Sequence, residues 1–379
     1  MICEGNERQL FDLTNEKTAE FIKTLIELSS AYTNIHKYMC LAVCAIGIIA
    51  NTVHVLVLTR PNMRTSAINR LLALMASCDI CTMVSYTVFN IRFGLLISAE
   101  NPPFGYSLAW IWFLLMHVVV SIALHTVSLY ISVVTAYIRY HAMDKIASRW
   151  LMATSAKPIF MIILLAVGFA SIPTFLVHGI ERVNPTLANN ETLYTIGIPK
   201  IAIANHCFLF KSNLWLTGIL FKVIPCILLF SFTIALMKKL NDNRKRRIFL
   251  RINSKFSKIY IPDRTTKMLT ILLLIYLFTE LPQGIIAILN GLFPNDIHQY
   301  IYLSVGELLD FFSLISCYAC FIVYPCISTQ YRETFREMLT QIKNNQRCKK
   351  LLPEKSNNFA MATVMMGDDL QYRDTDAFL

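Results

Sequence analysis

Charged residues are scarce in this chain of 379 residues: Lys, Arg, Asp and Glu make up 16% of it, whereas hydrophobic residues make up 55%. Soluble globular domains carry about 25% charged residues, and soluble monomers avoid large exposed apolar patches. The composition therefore argues against a soluble domain. The net charge of +11 does not indicate binding to nucleic acid, because the basic residues lie between apolar runs.

Several features of other protein classes are missing as well. No CxxC pair has a second pair or histidines at zinc spacing, and no HExxH motif or nucleophile–base pair is present. We therefore expect no metal site of that kind, no cofactor and no enzymatic activity. The first residues lack a basic segment followed by an apolar core, so we expect the first apolar run to act as an uncleaved signal anchor.

Seven apolar runs are each long enough for a helix to cross the roughly 30 Å hydrocarbon core of a bilayer. They cover residues 38–59, 68–93, 107–139, 157–177, 213–237, 266–292 and 300–327. The sequence thus predicts an all-α membrane protein, a seven-transmembrane helix bundle over residues 38–327. We expect an N-terminal tail at 1–37, a short amphipathic helix on the lipid surface at 328–342, and a disordered tail at 343–379.

Loop charge predicts the orientation of the bundle. Lys and Arg are concentrated after the first, third and fifth runs, and the connection 238–267 alone contains eleven of them. The positive-inside rule therefore predicts a plasma-membrane protein with an extracellular N-terminus and a cytoplasmic C-terminus. On that topology Asn190, in the sequon Asn-Glu-Thr, is a candidate for glycosylation. Cys348 is a candidate for palmitoylation, or an unmodified tail cysteine.

Few ionisable residues lie inside the predicted spans, and such residues are usually functional because lipid disfavours them. They are Asp79, Lys222, Glu280, Glu307 and Asp310, together with His117 and His125. Asp79 is either a protonated structural carboxyl or a switch that binds a cation or water. Lys222 can pair with Glu280 to hold two helices together, and it can line an outward-facing cavity with Glu280 and Asp310; both can be true, because a ligand cation can compete for the carboxylate. Helix-interior Pro225 and Pro282 predict hinges on either side of the basic connection.

Landmark residues resemble those of the rhodopsin-like G-protein-coupled receptors over about 38–339. The matching positions are Asn51, Asp79, Arg139, Tyr140, Pro225, Pro282 and Tyr324. A closer resemblance, to the myosuppressin and sex-peptide receptor group of invertebrate FMRFamide-like peptide receptors, is carried by HVLVLTRPNMRTSAINRLL, HTVSLYISVVTAYIRY and TELPQG. The last segment replaces the CWxP motif of most rhodopsin-like receptors.

The sequence also departs from the family pattern. Ile138 stands where an acidic residue usually precedes Arg139, and only Tyr324 remains of the NPxxY motif. No cysteine lies between Cys81 and Cys207, so the usual bridge from the third helix to the second outer loop cannot form. Cys207 has Cys3 and Cys40 as conceivable partners, but we favour an unpaired thiol. The other cysteines inside apolar runs are expected to be free thiols.

The resemblance implies an amidated neuropeptide ligand, ending in Arg-Phe or a similar pair, and a heterotrimeric G protein as partner. Glu280, Asp310 and Glu307 are candidates for the ligand guanidinium, with Lys222 beside them. Phe113, His117, Phe311 and Tyr302 are candidates for the phenyl ring, and Gln283 and His125 for the terminal amide. Ordinary interhelical packing is the alternative for each aromatic residue. Asp79, Ser128 and Ser316 resemble the family's sodium-linked polar core, with sodium at Asp79 and Ser128.

Other functional classes fit less well. A retinal opsin is disfavoured because the seventh run has no lysine for a Schiff base, and a transporter because internal repeats are absent and the number of spans is odd. A decoy receptor that binds peptide without signalling stays open, because Arg139 lacks its usual acidic neighbour and the seventh-helix motif is altered.

Overall fold

The computed structural model describes residues 10–97, 105–142, 152–183, 192–252 and 264–351, which are mostly helical. Seven helices are long and apolar enough to cross a membrane, which confirms the predicted seven-helix bundle. We number them in chain order: α1 Glu16–Leu58, α2 Ala67–Phe89 with a π turn Asn90–Leu95, α3 Leu108–Ala142, α4 Ala156–Ala170 with a short continuation Ile172–Leu176, α5 Lys200–Trp215, Leu216–Val223 and Ile224–Ile252, α6 Arg264–Leu292, and α7 Ile297–Tyr302, Leu303–Ser316 and Ala319–Ile327.

The helix α1 is much longer than the first apolar run. It begins at Glu16 instead of residue 38, where the side chain of Asn15 accepts a hydrogen bond from the N–H of Lys17 and caps the first turn. Residues 16–37 contain no Gly or Pro, so the helix continues without interruption. At 1.5 Å per residue α1 is about 64 Å long, roughly twice the hydrocarbon thickness. Its N-terminal part therefore extends beyond the membrane.

The helix α5 is irregular at two places. Leu216–Val223 forms a π segment directly before Pro225, whose missing N–H and bulky ring disturb the preceding turn. Nearer its start, Asn205, His206 and Cys207 have φ values of 52°, 55° and 59°, a left-handed conformation that is rare outside glycine. Such a strained run persists only where surrounding structure holds it.

Cys207 is disulfide-bonded, so the expectation of an unpaired thiol is wrong. Cys40, the partner weighed beside Cys3, is a free thiol, and Cys3 lies outside the described residues. The described cysteines of the apolar runs are free, as expected: Cys40, Cys44, Cys78, Cys81, Cys226, Cys317 and Cys326. The bond fixes Cys207 within its left-handed run, which gives this strained segment a covalent restraint.

A two-stranded antiparallel hairpin lies between α4 and α5. Its strands are β1 Gly179–Arg182 and β2 Tyr194–Gly197, in a register that pairs Gly179 with Gly197. The hairpin is joined to the start of α3 by two backbone hydrogen bonds between Tyr106 and Tyr194, each 2.9 Å long. This contact occupies the place of the covalent bridge that the sequence excludes.

The chain divides into two compact units, Met1–Arg332 and Glu333–Leu379. The helix α8, Thr329–Leu351, begins in the first unit. It corresponds to the helix predicted over 328–342, but it continues to Leu351. In the first unit, Cys40, Cys44, Met83, Leu314 and Cys317 form one cluster of small and flexible side chains where α1, α2 and α7 meet. Small side chains allow helices to approach closely inside a membrane.

Candidate ligand cavity and switch residues

A cavity of about 370 Å³ lies among α2, α3, α5, α6 and α7, with His178 and Ile198 beside the β1–β2 hairpin at one end. Its size falls within the range of small-molecule sites, which is about 300–1,000 Å³. The lining combines aliphatic and aromatic side chains with polar groups. The polar groups are Thr82, Ser121, His125, Thr174, His178, Asn213, Thr217, Lys222, Gln283, Asn290, His298, Asp310 and Ser313.

An ion pair joins α5 to α6 at the cavity. Lys222 Nζ donates to Glu280 Oε2 at 2.5 Å, and His125 Nε2 lies 2.8 Å from Glu280 Oε1. Glu280 is fully buried, whereas the Lys222 side chain is 14% exposed. The π segment before Pro225 carries Lys222, and Glu280 lies two residues before Pro282, so both charges sit beside a helix irregularity. Both oxygens of Glu280 are thus occupied, and Glu280 itself does not line the cavity.

Asp310 differs from Glu280 in having no hydrogen-bond or ion-pair partner among the described residues. Its side chain is exposed, and it lines the cavity from α7. Asn290 of α6 also lines the cavity; its Nδ2 lies 3.1 Å from His298 Nδ1, while its buried Oδ1 has no partner in the described part of the chain. The cavity therefore presents the Asp310 carboxylate to a ligand, whereas the amide oxygen of Asn290 is buried behind the lining.

Three of the other candidate residues also line the cavity. Gln283 Nε2 donates to the Leu309 carbonyl at 2.7 Å and to Ser313 Oγ at 2.6 Å, which ties α6 to α7. Tyr302 stacks on His298 with ring centroids 5.3 Å apart. His125, already described at Glu280, is the third. Neither of these hydrogen bonds uses the side-chain carbonyl oxygen of Gln283, so this oxygen can accept a hydrogen bond from a ligand amide.

Besides Glu280, four candidates lie away from the cavity lining. Phe113 stacks on His117 at 6.0 Å, and Ser85 Oγ lies 2.7 Å from His117 Nδ1. Phe311 packs against the cluster at Cys40. Glu307 has one buried oxygen, Oε2, without a partner among the described residues. These placements favour the packing alternative for Phe113, His117 and Phe311.

Phe113 and His117 belong to an aromatic group at the ends of α2 and α3 that lie near the hairpin. The guanidinium carbon of Arg92 lies 5.0 Å from the Trp110 ring and 5.4 Å from the Tyr106 ring. Cation–π contacts of this kind stabilise at distances up to about 6 Å. Because Tyr106 also bonds to Tyr194, the group supports the noncovalent connection between α3 and the hairpin.

Several lining residues were not predicted from the sequence, among them Asn213, Thr217, Asn290 and His298. Asn213 and Thr217 are four residues apart in α5, and Thr174 Oγ1 donates to Asn213 Oδ1 at 2.8 Å. In the sequence, a polar pair at helical spacing within an apolar run is the feature that could have identified Asn213 and Thr217 as lining residues. His298 precedes the seventh apolar run and had no such signal.

A polar core lies beside the cavity between α1, α2, α3 and α7. Ser128 Oγ donates to Asp79 Oδ1 at 2.8 Å, and Asn51 Nδ2 donates to the Cys317 carbonyl at 3.1 Å. Ser316 Oγ lies 3.4 Å from Glu280 Oε1, so α7 also reaches the ion pair. Oxygen atoms such as those of Asp79 and Ser128 are suitable ligands for a hard cation such as sodium. The sodium site stays a prediction.

At the other end of the bundle, Arg139 and Tyr324 lie at the ends of α3 and α7. Arg139 is buried, and its Nε and Nη1 have no partner among the described residues, consistent with Ile138 beside it. Tyr324 donates to Asn69 Oδ1 of α2 at 2.9 Å. The Tyr140 carbonyl accepts from Lys239 Nζ of α5 at 3.2 Å. Tyr324 thus holds α7 to α2 in this conformation.

The predicted modification sites, Asn190 and the Cys348 side chain, lie outside the described residues.

The arrangement of seven spans around a polar cavity has a counterpart among known families. A family model described as "Serpentine type 7TM GPCR chemoreceptor Srw" matches residues 37–341. The chain belongs to this family. The receptor is also 30% identical to "G-protein coupled receptor dmsr-1" of Caenorhabditis elegans, an alignment that covers 84% of the receptor and 70% of that protein. It is 24% identical to "Sex peptide receptor" of Drosophila melanogaster, with 77% and 69% covered.

These similarities confirm the resemblance inferred from Asn51, Arg139 and the TELPQG segment. They agree with the seven spans in identifying the receptor as a multi-pass protein of the plasma membrane.

Proposed function

We propose that this receptor is a neuropeptide receptor whose ligand is an amidated peptide ending in Arg-Phe or a similar pair, and that it activates a heterotrimeric G protein. The name of one relative, "Sex peptide receptor", states a peptide ligand for that protein. The FMRFamide-like specificity rests on the resemblance of the TELPQG segment and on the cavity chemistry below.

The charge balance of the cavity carries the proposal. Lys222 is the only Lys or Arg among the described lining residues, and Glu280 already neutralises it at 2.5 Å. Asp310 contributes a negative charge without a described partner. A planar guanidinium forms strong paired hydrogen bonds with a carboxylate. The cavity therefore favours a cationic ligand group, and a peptide arginine at Asp310 satisfies it.

The same balance favours an amidated C-terminus over a free one. A terminal carboxylate needs a cation, and Lys222, the only Lys or Arg of the described lining, is bound to Glu280. A neutral amide requires only hydrogen bonds, and Gln283, Asn290 and His125 provide acceptors or donors within the lining. At about 370 Å³ the cavity receives the end of a peptide, and the rest of the ligand extends past the hairpin.

We further propose that the hairpin end of the bundle is extracellular and that the Arg139 end receives the G protein. The basic connection between α5 and α6 supports this orientation through the positive-inside rule. Ligand binding would shift a pre-existing equilibrium of the bundle instead of creating a new state. The contact of Ser316 with Glu280 and that of Asn51 with the Cys317 carbonyl link α6, α7 and α1 between the cavity and the end of the bundle that carries Tyr324 and Arg139.

The test is a screen of amidated RF-type peptides on cells that express the full chain, with second-messenger output and labelled-peptide binding as readouts. We expect a response to the amide and at least a tenfold weaker response to the same peptide with a free carboxylate. Asp310→Asn should lower potency at least tenfold, which corresponds to about 1.4 kcal/mol. Glu280→Gln should also lower potency, through the loss of the ion pair that positions Lys222.

Glu307→Gln is the matched control, because Glu307 lies one helical turn from Asp310 but does not line the cavity. Its effect on potency should be clearly smaller than that of Asp310→Asn. Equal potency of wild type and Asp310→Asn, at equal surface expression, contradicts the proposed anchor. A lack of binding to any amidated peptide contradicts the ligand class.

One observation favours a second candidate, a decoy receptor that binds peptide without signalling. Arg139 lacks an acidic neighbour, and two of its nitrogens have no described partner. Arg139→Ala discriminates the two, because a signalling receptor should lose its second-messenger response while it retains peptide binding. A wild-type receptor that binds but gives no response is the result that supports the decoy.

A further inference from the structure

Two histidines line the cavity at its hairpin end, and the ligand contacts proposed above use neither of them. His178 lies between the short continuation of α4 and β1, and His298 lies in the first turn of α7. Phe210 of α5 connects the two places. Its ring meets the His298 ring edge-on, with centroids 5.9 Å apart, and it belongs to the same buried cluster as Val177, the residue before His178. We call His178 and His298 the histidine pair.

The hydrogen bond of His178 determines which of its ring nitrogens is able to accept. Nδ1 lies 2.7 Å from the carbonyl oxygen of Thr174. Because a carbonyl oxygen only accepts, the ring hydrogen must be on Nδ1. In a neutral ring, Nε2 then carries a lone pair, and Nε2 has no partner among the described residues. His178 therefore offers a ligand a hydrogen-bond acceptor.

His298 has the opposite arrangement of its ring hydrogen. Nδ2 of Asn290 lies 3.1 Å from His298 Nδ1. Because an amide nitrogen only donates, Nδ1 accepts, and the hydrogen of the neutral ring is on Nε2. The stack on Tyr302 and the edge contact with Phe210 hold the ring in place. His298 therefore offers a ligand a hydrogen-bond donor whose direction is fixed by its neighbours.

An acceptor and a donor side by side match the chemistry of an uncharged amide. An amide carries both an N–H donor and a carbonyl acceptor, whereas an ionised carboxylate only accepts and an ammonium group only donates. Either charged group would leave one nitrogen of the histidine pair without a hydrogen bond, and an unsatisfied polar group costs binding free energy. The histidine pair therefore favours amide groups over charged groups at this end of the cavity.

The histidine pair lies far from the proposed anchor for the ligand arginine. His298 and Asp310 are twelve residues apart on α7, which corresponds to about 18 Å at 1.5 Å per residue. An extended peptide spans about 3.3 Å per residue, so about five residues separate an arginine at Asp310 from a group at His298. The histidine pair thus faces the part of the ligand that precedes its Arg-Phe end.

We propose that the histidine pair is a subsite for neutral amide groups of the ligand, in which His298 Nε2 donates to an amide oxygen and His178 Nε2 accepts from an amide N–H. The amide belongs to the main chain of the ligand or to an Asn or Gln side chain in it. This inference rests on the peptide ligand proposed above, and it adds a requirement for residues that precede the Arg-Phe end.

Two peptides separate this subsite from the anchor at Asp310. The first is an amidated nonapeptide that ends in Arg-Phe, and the second is its C-terminal tripeptide amide, which is too short to reach the histidine pair. In cells that express the full chain, His178→Phe and His298→Phe should each lower the potency of the nonapeptide at least about fivefold, the loss expected of one hydrogen bond. The potency of the tripeptide should stay the same. Asp310→Asn should weaken both peptides.

The design of the variants keeps the fold intact. Phenylalanine retains a ring that stacks on Tyr302 and removes the ring nitrogens, and the unchanged potency of the tripeptide shows that the rest of the cavity is preserved. His206→Asn is the matched control. His206 is exposed near the start of α5 and does not line the cavity, and asparagine tolerates its left-handed backbone. It should leave the potency of both peptides unchanged.

Changes in the nonapeptide identify the source of the amide. Replacing one upstream peptide bond at a time by an ester removes a single N–H of the main chain. A main-chain amide predicts that one ester lowers potency about fivefold on the wild type and has little further effect on His178→Phe. A side-chain amide predicts the same pattern for the replacement of an upstream Asn or Gln by Leu.

Three results would overturn the subsite. Equal losses for both peptides in the histidine variants would assign the histidine pair to the support of the bundle. Unchanged potency of the nonapeptide in both histidine variants, at equal surface expression, would remove the subsite but leave the ligand class standing, provided that Asp310→Asn still weakens the peptide. If neither peptide binds the wild-type receptor, the ligand class is wrong and the subsite falls with it.

Discussion

Loss of Lys222 should destabilise the receptor more than loss of its partner Glu280. Lys222→Met leaves a fully buried carboxylate whose other described contacts are His125 at 2.8 Å and Ser316 at 3.4 Å. Glu280→Gln leaves an ammonium that is 14% exposed at the cavity and can be hydrated there. Removing one member of a buried pair costs about 3–5 kcal/mol, and the lysine variant should lie at the upper end.

The double variant Lys222→Met/Glu280→Gln should recover most of this loss, because it removes both charges together. In a double-mutant cycle we expect a coupling energy of about 2 kcal/mol or more. With about 2–4 °C per kcal/mol for a large domain, a loss of about 5 kcal/mol in Lys222→Met should lower the melting temperature by about 10–20 °C. His125→Phe in the Lys222→Met background should lower it further.

A thiol-reactive fluorophore measures these melting temperatures in purified receptor, because Cys40, Cys44, Cys78, Cys226 and Cys317 are buried free thiols that react only on unfolding. Strictly additive losses, with a coupling energy below about 0.5 kcal/mol, would refute the idea that Lys222 and Glu280 form one energetic unit.

Three further outcomes follow from contacts near the hairpin end. Arg92→Gln removes cation–π contacts worth about 0.5–2 kcal/mol and should lower the melting temperature by a few degrees, measured by the same assay. Asp296→Asn weakens the hydrogen bonds that Asp296 accepts from the N–H groups of Leu10 and Phe11, so the amides of both residues should exchange hydrogen faster by mass spectrometry. Cys207→Ser should lower the melting temperature and abolish its sensitivity to reductant, whereas retained sensitivity would mean that another disulfide matters.

The number and place of the spans follow directly from the sequence, because lipid demands long apolar runs and these leave an unambiguous pattern. The start of α1 did not follow, because residues 16–37 mix charged and apolar side chains and fall outside any apolar run. A local signal was nevertheless present: Asn15 is a favoured cap, and no Gly or Pro interrupts the following residues.

The candidate site was predicted in part. Lys222, Glu280, His125 and Asp310 were identified as costly groups inside the membrane, and the structure brings the first three within hydrogen-bonding distance. Which carboxylate remains open to a ligand could not be predicted from spacing. The π segment before Pro225 changes the direction in which Lys222 points, and such a turn depends on packing around the helix.

The contact between Tyr106 and Tyr194 bears on how long a ligand stays bound. A covalent bridge would fix the hairpin to α3 permanently, whereas two hydrogen bonds and a stacked arginine can break and reform many times each second. We therefore expect the hairpin to open and close over the end of the cavity that His178 and Ile198 line. The residence time of a ligand would then depend on how often the hairpin opens. Substitutions of Arg92 or Tyr106 would alter the dissociation rate of the ligand, even though neither residue lines the cavity.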